Sequence, residues 1–374
     1  MEKNIIIGAR SSKLAIKQAE IVIKSMRDVG FSGDVFIKQI KTLSDIISDK
    51  QLCDIGGKSL FVKEIDEQIL SGDIDMAVHS LKDIPTEYHP ELKINCFLPR
   101  HNPSDIFLIK SNIFELINDK DVKIMINYEK NYTDNFFEIK NSFFSIKEEF
   151  SKYCLNKIVK LINYYRPYKP FSLGTCSPRR SALLSYFLKD TKYIISPMRG
   201  NIDNRINKLI EGNLDAIILA KCGLERISAA LNLKDIVPIK ISPWEFIPSA
   251  GQGTIAIVTK KHTEIDNYLS NILKKINCEE TYLRSIAERA TLQIINGDCY
   301  TPIGCYSEFN NKEYNKNILK ESKIMKIKGF LSDINYSEII FDEVSNVVNT
   351  VEDAYNLGSE LGRKLKEKIK YFKY

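Results

Sequence analysis

The residues with the most chemistry in them stand at the end of a short apolar run. Asp75-Met76-Ala77-Val78 leads into His79-Ser80-Leu81-Lys82-Asp83-Ile84-Pro85, which reads as a buried strand whose end delivers Ser, Lys and Asp to one place before a proline stops it. In open α/β sheets, ligands sit at the carboxyl ends of strands. Further along, five of the twelve arginines (Arg179, Arg180, Arg199, Arg205, Arg226) fall within 48 residues, in a chain where lysines outnumber arginines 42 to 12. Arginine meets a carboxylate with two parallel hydrogen bonds, which lysine cannot do. One acid facing many forked cations points to catalysis on a small polyanion. Each feature also has a plainer reading: an aspartate after a strand is a turn or cap residue, and an arginine cluster is a salt-bridged surface.

Composition narrows the classes. The 374 residues are 44% hydrophobic and 27% charged, with a formal net charge of +6. That is an ordinary globular balance with room for two or three domains. The lysines are scattered, which argues against a nucleic-acid tail or a polybasic membrane anchor, and no apolar run approaches the ~18 residues of a membrane helix. The eight cysteines show no C-x-x-C spacing and read as reduced thiols, and the four histidines make no zinc signature, so no metal is expected. The chain enters the apolar run Ile5-Ile6-Ile7 without a signal-peptide pattern. A cytoplasmic location is expected, or a plastid one after removal of a transit segment.

The elements that must position these residues come in a faint duplication. Ile5-Ile6-Ile7-Gly8-Ala9-Arg10-Ser11-Ser12 runs into the helical pattern Leu14, Ala15, Gln18, Ala19, Val22, and Phe171-Ser172-Leu173-Gly174-Thr175-Cys176-Ser177 runs into Ala182, Leu183, Tyr186, Phe187. Both read strand, glycine turn with small hydroxyls, helix, a turn that leaves backbone N–H groups open to an anion. Arg10, Ser12, Thr175 and Ser177 sit at these turns, and the serines and threonine can also cap the helices. Residues 68–77 and 208–217 parallel one another as helix end, Gly72 or Gly212 as C-cap, and buried strand. Two related α/β domains with a cleft between them follow.

Residues 111–170 break the pattern, with no glycine, 17 Lys or Asn and 12 Phe or Tyr. They read as a lineage-specific, partly helical insertion at the domain border; an RNA-binding patch of aromatics among lysines is the sharper alternative. The C-terminal third is different in kind. A helix over Tyr282–Ile295 ends at Asn296-Gly297, with Asp298-Cys299 directly after it. Strand-like runs follow at Thr301–Glu308, Lys323–Leu331 and Glu338–Phe341, then a last helix through Ala354, Leu357, Leu361, Leu365 and Ile369. That is a small α+β domain.

Taken together, Gly8–Ala15, Gly56–Glu64, Asp75–Pro85, Gly174–Arg180, Arg199-Gly200-Asn201 with Arg205, Gly223–Arg226, Pro248–Gly253, and Glu288-Arg289-Ala290 through Cys299 resemble, block by block and in order, the porphobilinogen deaminase (hydroxymethylbilane synthase) family. The resemblance covers nearly the whole chain outside the insertion. It implies two periplasmic-binding-protein-like domains with a central cleft plus a small C-terminal α+β domain. We expect domain 1 at 1–109 and 253–272, the insertion at 110–170, domain 2 at 171–247 and domain 3 at 276–374. The family joins four porphobilinogen molecules head to tail, losing ammonia, on a dipyrromethane primer held by a cysteine thioether.

Carried onto this sequence, the resemblance puts the primer on Cys299, with Cys305 and Cys176 as rivals, and the catalysis on Asp83. Ser80, Lys82, Asp83, Thr175, Ser177, Arg179, Arg180 and Arg205 would hold the cofactor. Arg10, Ser12, Arg199, Arg205, Arg226, Lys58, Lys63 and Gln252 would hold substrate. Residues 44–57 read as a lid, and Gln252 as the chain's crossing back to the first domain. Four residues depart from the family pattern: Ser59, Cys176, Pro178 and Asp298. Pro178 puts carboxylate binding by the local backbone in doubt, since it removes a donor. A monomer acting on a small molecule is expected, with neither nucleic acid nor membrane as partner. The alternative is a two-lobed small-anion binding protein without catalysis.

Overall fold

A computed structural model describes residues 4–42, 62–116, 150–231, 233–261, 267–297, 300–310 and 323–369. The elements run β1 (Ile5–Arg10), α1 (Lys13–Asp28), β2 (Val35–Ile40), α2 (Lys63–Ser71), β3 (Met76–Ser80), β4 (Leu92–Phe97), β5 (Asp105–Lys110), α3 (Phe150–Tyr165), β6 (Phe171–Gly174), α4 (Pro178–Phe187) and β7 (Tyr193–Ser196). After these come α5 (Ile202–Glu211), β8 (Ala216–Ala220), α6 (Lys221–Ile227), β9 (Ile236–Lys240), β10 (Ile255–Lys260), α7 (Asn267–Ile276), α8 (Glu279–Ile295), β11 (Ile303–Asn310), β12 (Ile324–Ser332), β13 (Ile339–Val347) and α9 (Val351–Ile369). Among the described residues no helix is long and apolar enough to cross a membrane.

The chain forms two compact units. The first is Met1–Pro103, Pro248–Leu331 and Ile340–Tyr374; the second is Ser104–Ile247 and Ser332–Ile339. The first holds a five-stranded sheet of order β2-β1-β3-β10-β4, with β1 parallel to β2 and β3, and β10 antiparallel to β3 and β4. Both faces of this sheet are covered at its centre, so β1, β3 and β10 are buried at successive positions rather than alternating, while the edge strand β2 is largely exposed. Ile5, Ile7, Met76, Val78, Ile255 and Ile257 pack with α1 and α7 on one face. Ala77, Ala256 and Val258 pack with Ile65 and Ile69 of α2 on the other. The same unit carries the sheet β11-β12-β13, whose core includes Cys305, Met325 and Ile327 against Leu357, Leu361 and Leu365 of α9. The expected small α+β region therefore forms, and it clusters with the first unit except for Ser332–Ile339, which clusters with the second. Its last strand is longer than the run 338–341 suggested, because beyond Phe341 it continues with polar, largely exposed residues.

The second unit repeats the plan with the order β7-β6-β8-β5-β9, β6 parallel to β7 and β8, and β5 antiparallel to β8 and β9. This moves an expected boundary. Residues 104–109, expected in the first domain, belong to the second unit, where the apolar run Ile106–Ile109 pairs inside the sheet. It also changes the reading of the insertion, whose flanking strands β5 and β6 lie in one sheet rather than in two domains. Helix α3, inside the expected insertion, buries Leu155, Ile158, Val159 and Ile162 and holds the Phe187 carbonyl through Asn156. Those side chains are second-unit core.

Candidate active site

In the first unit β3 ends at Ser80 and hands over to a 3-10 turn, Leu81–Asp83. Leu81 is buried and its N–H donates to the Thr254 carbonyl, which anchors the turn while Lys82 and Asp83 stay half-buried. Gly251 (φ +73°) and Gly253 (φ +96°) bring the Gln252 backbone against this turn; a Cβ on Gly251 would lie 2.7 Å from the Leu81 side chain. Gln252 is fully buried. Its Nε2 donates to the Pro103 carbonyl (2.6 Å) and its Oε1 accepts from Lys82 Nζ (3.4 Å). The Gln18 amide donates to Ser80 Oγ at 2.9 Å. Arg10 closes β1 on the neighbouring strand, and Ser12 caps α1 by accepting from the Ala15 N–H. Among the described residues no hydrogen bond or ion pair engages the Asp83 carboxylate. A half-buried, unpaired carboxylate at a strand end can give or take a proton, or face a cation.

The second unit places the arginines. Thr175 Oγ1 accepts from the Ser177 N–H, Ser177 caps α4 by accepting from the Arg180 N–H, and Pro178 takes the first helical position. There its preset φ favours the helix, although the donor it lacks is lost to any anion. The helix start aims Arg179 and Arg180 inward. Both are buried, and both meet Asp105 at the head of β5: Arg179 Nη2 donates to Oδ2 (2.7 Å) and Arg180 Nη2 to Oδ1 (2.8 Å). Their other arms reach the Ile247 and Ile218 carbonyls. Burial pushes the Asp105 carboxyl up, but the two guanidiniums outweigh it and hold it below the usual carboxylate range. Much of the arginine pair's hydrogen-bonding capacity is thus spent inside the unit. One donor is not: Arg180 Nε is buried with no partner among the described residues.

Arg205 adds a surplus of positive charge. Its Nε donates to the Gly200 carbonyl, and burial, then the Arg180 charge, push it down to about 10, with Arg199 adding and Cys176 opposing. Arg205 therefore feels the charges of Arg180 and Arg199, and Asp105 is the acid that faces the Arg179–Arg180 pair. Arg226 stands on α6, lowered by burial, with Cys222 and Glu225 acting against that. Lys63 opens α2 exposed, 4.0 Å from Glu67. Lys58, the expected lid and Cys299 lie outside the described residues. Cys305 is buried in β11, where burial pushes its thiol up, so it is a poor nucleophile; Cys176 is half-exposed at the glycine turn.

Sequence reasoning missed Asp105. Its only local signal is an acid opening the apolar run Ile106–Ile109, and its partners are more than 70 residues away.

Two sheets of the same order, one with an acid after a strand end and the other with a cationic cluster, define a duplicated α/β protein. The family described as "porphobilinogen deaminase, dipyromethane cofactor binding domain" matches residues 5–125 and 162–267, and "porphobilinogen deaminase, C-terminal domain" matches 282–367. A probable porphobilinogen deaminase of Methanocaldococcus jannaschii is 31% identical, covering 97% of this chain and 99% of the relative. The porphobilinogen deaminase of Ehrlichia chaffeensis is 35% identical, covering 83% and 85%. The chain belongs to the porphobilinogen deaminase family. Among solved structures, apo YehZ from Escherichia coli is similar with a TM-score of 0.39 and 9% identity, covering 80% of this chain and 95% of that one. The fold is defined by the strand orders above rather than by that likeness.

Proposed function

We propose that this chain is a porphobilinogen deaminase: it condenses four porphobilinogen molecules stepwise into hydroxymethylbilane, releasing ammonia at each step, on a dipyrromethane primer attached to Cys299. The observation that carries the reading is the Asp83 carboxylate in the turn after β3, unpaired among the described residues, in a chain of this family.

The described residues fit the primer. A dipyrromethane presents acetate and propionate groups, and the second unit offers the unpartnered Arg180 Nε and an uncompensated charge on Arg205. Each charge-assisted hydrogen bond contributes about 1.5–3 kcal/mol. Arg199 and Arg205 are the leading carboxylate binders in this reading, with Arg180 assisting and Arg179 mainly structural. When bound, the primer supplies the nucleophilic pyrrole carbon on which the chain grows. Thr175 and Ser177 accept their capping bonds on oxygen, so each can still donate its O–H to a primer carboxylate.

Asp83 acts on the incoming porphobilinogen. Its carboxyl protonates or hydrogen-bonds the departing amine, and its charge then stabilises the cation left on the substrate. After carbon–carbon bond formation the ring proton leaves to a base, a role the same carboxylate can fill. Lys82, tied to Gln252, orients Asp83 or meets a substrate carboxylate, while Arg10 and Ser12 hold substrate from the β1 turn. Arg226, Lys63 and Lys58 contribute charge to substrate binding. A receptor that only binds anions gains nothing from an unpaired carboxylate beside its ligand. We read the enzyme as a monomer, working in the cytoplasm or in a plastid.

Purified protein incubated with porphobilinogen should release ammonia and a linear tetrapyrrole. Its intact mass should exceed the sequence mass by a dipyrromethane, and peptide mapping should place the adduct on the Cys299 peptide. An unmodified mass without ammonia release contradicts the reading, and an adduct only on Cys176 or Cys305 overturns the attachment site.

A further inference from the structure

Behind the β3 strand end lies a buried set of titratable groups that the reaction above does not use. Asp66, on the face of α2 that carries Ile65 and Ile69, is 8% exposed, and His79 is 4% exposed. Tyr88 Oη donates to Asp66 Oδ1 at 2.6 Å, and His79 Nε2 lies 3.7 Å from the same oxygen. That is beyond hydrogen-bond reach, and Nε2 has no hydrogen-bond partner among the described residues.

Proximity does not make this an ion pair. Burial pushes Asp66 up to about 7, with the Tyr88 hydrogen bond opposing and Glu67 adding; burial pushes His79 down to about 4, with the Arg10 charge adding. Between those values a neutral acid sits beside a neutral imidazole. Tyr88 in turn feels the charge of Arg289 on α8. Arg289 donates Nη1 to the Ile84 carbonyl (3.0 Å) and Nη2 to the Pro85 carbonyl (2.6 Å). His79 directly precedes Ser80, and Ile84 and Pro85 directly follow Asp83. Arg289 therefore holds the chain directly after Asp83, while His79 sits in the strand directly before Ser80.

We propose that Asp66, His79, Tyr88 and Arg289 form one buried positioning relay, centred on the Asp66 carboxyl, that fixes the Ser80–Asp83 segment for turnover. The proposal rests on the function read above. The physical consequence is specific. Ionising Asp66 puts a charge among Ile65, Ile69, Leu81 and Ile84, beside Glu67. The charge must pull His79 or water toward itself, and either response shifts the start of the segment. The leading carboxylate binders of that reading, Arg199 and Arg205, stand in the other unit, so kcat falls by more than KM rises.

The test is the pH dependence of kcat and KM for wild type, Asp66→Asn and Tyr88→Phe, with thermal unfolding across the same range. Wild-type kcat should be about tenfold lower at pH 8 than at pH 6, as expected for one acid titrating near 7. The Asn variant, whose amide stays neutral, should lack this fall. Tyr88→Phe removes the hydrogen bond that favours the ionised acid, so its fall should begin at higher pH. The relay is overturned if Asp66→Asn keeps the wild-type alkaline limb, or if its unfolding temperature drops while the kcat profile is unchanged. Should the Asn variant fail to fold, an unshifted limb in Tyr88→Phe overturns it alone. Wild type without turnover at any pH defeats the functional reading instead.

Discussion

The two five-stranded sheets share a plan and differ in where they put charge. In each, three parallel strands are followed by an antiparallel strand from elsewhere in the chain, β10 in one and β5 in the other. Each first strand opens a turn into a serine-capped helix, through Ser12 or Ser177. Each third strand is preceded by an aspartate that accepts from the first strand's backbone: Asp75 from the Ile6 N–H and Asp215 from the Ser172 N–H, both at 2.8 Å. The units part at the strand ends. After β3 comes Leu81-Lys82-Asp83 in a 3-10 turn whose acid has no partner among the described residues; after β8 comes the helix Lys221–Ile227. Helix α1 begins with Lys13, whereas α4 begins Pro178-Arg179-Arg180 around the paired Asp105. The backbone plan is repeated, while the chemistry is confined to a few residues at its ends. One unit keeps an acid available, and the other spends its acid on ordering arginines.

The largest way to break this comparison is to neutralise the two acids. Asp105→Asn leaves two buried guanidiniums without their charge partner and should cost about 3–5 kcal/mol in urea unfolding. Asp83→Asn removes no partner and should stay within about 0.5 kcal/mol of wild type. Equal costs would mean that both acids are structural.

Arg180→Lys keeps the charge but loses the fork between Asp105 and the Ile218 carbonyl. It should cost about 1–3 kcal/mol of stability and lower the fraction of purified protein that carries the primer. Wild-type stability and primer content would show that the fork does not matter.

Acid should sharpen the contrast between the units. Asp105 and Asp215 are both held below the usual carboxylate range: burial opposes this in each, the Arg179 and Arg180 charges overcome it at Asp105, and the Arg166 hydrogen bond does at Asp215. Their contribution to stability is present in full above the unfolded value near pH 4 and is lost as pH falls below it. Asp66 has the opposite sign. Its pKa is raised to about 7, so its contribution is present below about pH 4 and lost as pH rises through 7. Hydrogen exchange should therefore show the second unit opening first below pH 4. First-unit opening at that pH would contradict the assignment.

The smallest effect is expected outside the family match. Deleting residues 126–148, which fall in the gap between the matched segments 5–125 and 162–267, should leave turnover within about twofold. A wider cut through α3 should fail, because it removes Leu155, Ile158, Val159 and Ile162 from the second unit's core. A folded short-deletion protein without turnover would give that segment a role in catalysis.

These contrasts separate what sequence carries from what it does not. The strand ending at Ser80, the two glycine turns, the serine caps and the C-terminal helix–strand–helix order are local patterns, and they are legible as such. Gly72 and Gly212 show the limit: both close a helix, but Gly72 is left-handed at φ +83° while Gly212 is extended at φ −91°, ψ −176°. The place of β5 in the second sheet and the burial of α3 depend on pairing across the fold, which periodicity does not encode. The same holds for Asp105 and Asp66. A buried acid is chosen by distant partners (the arginine pair for one, Tyr88 and His79 for the other), and nothing in the adjacent residues announces them.

The division of labour between the units is tested most directly by single-turnover kinetics on primer-loaded protein, comparing Asp83→Asn with Arg205→Lys across porphobilinogen concentration. Asp83→Asn should lower the maximal rate by about 10²-fold or more, the usual scale for losing a general acid or an electrostatic stabiliser, and leave the half-saturating concentration unchanged. Arg205→Lys should raise the half-saturating concentration about tenfold and leave the maximal rate near wild type, since it removes a bidentate contact made in ground and transition states alike. An Asp83→Asn rate within a few fold of wild type, or an Arg205→Lys effect confined to the maximal rate, would contradict the account.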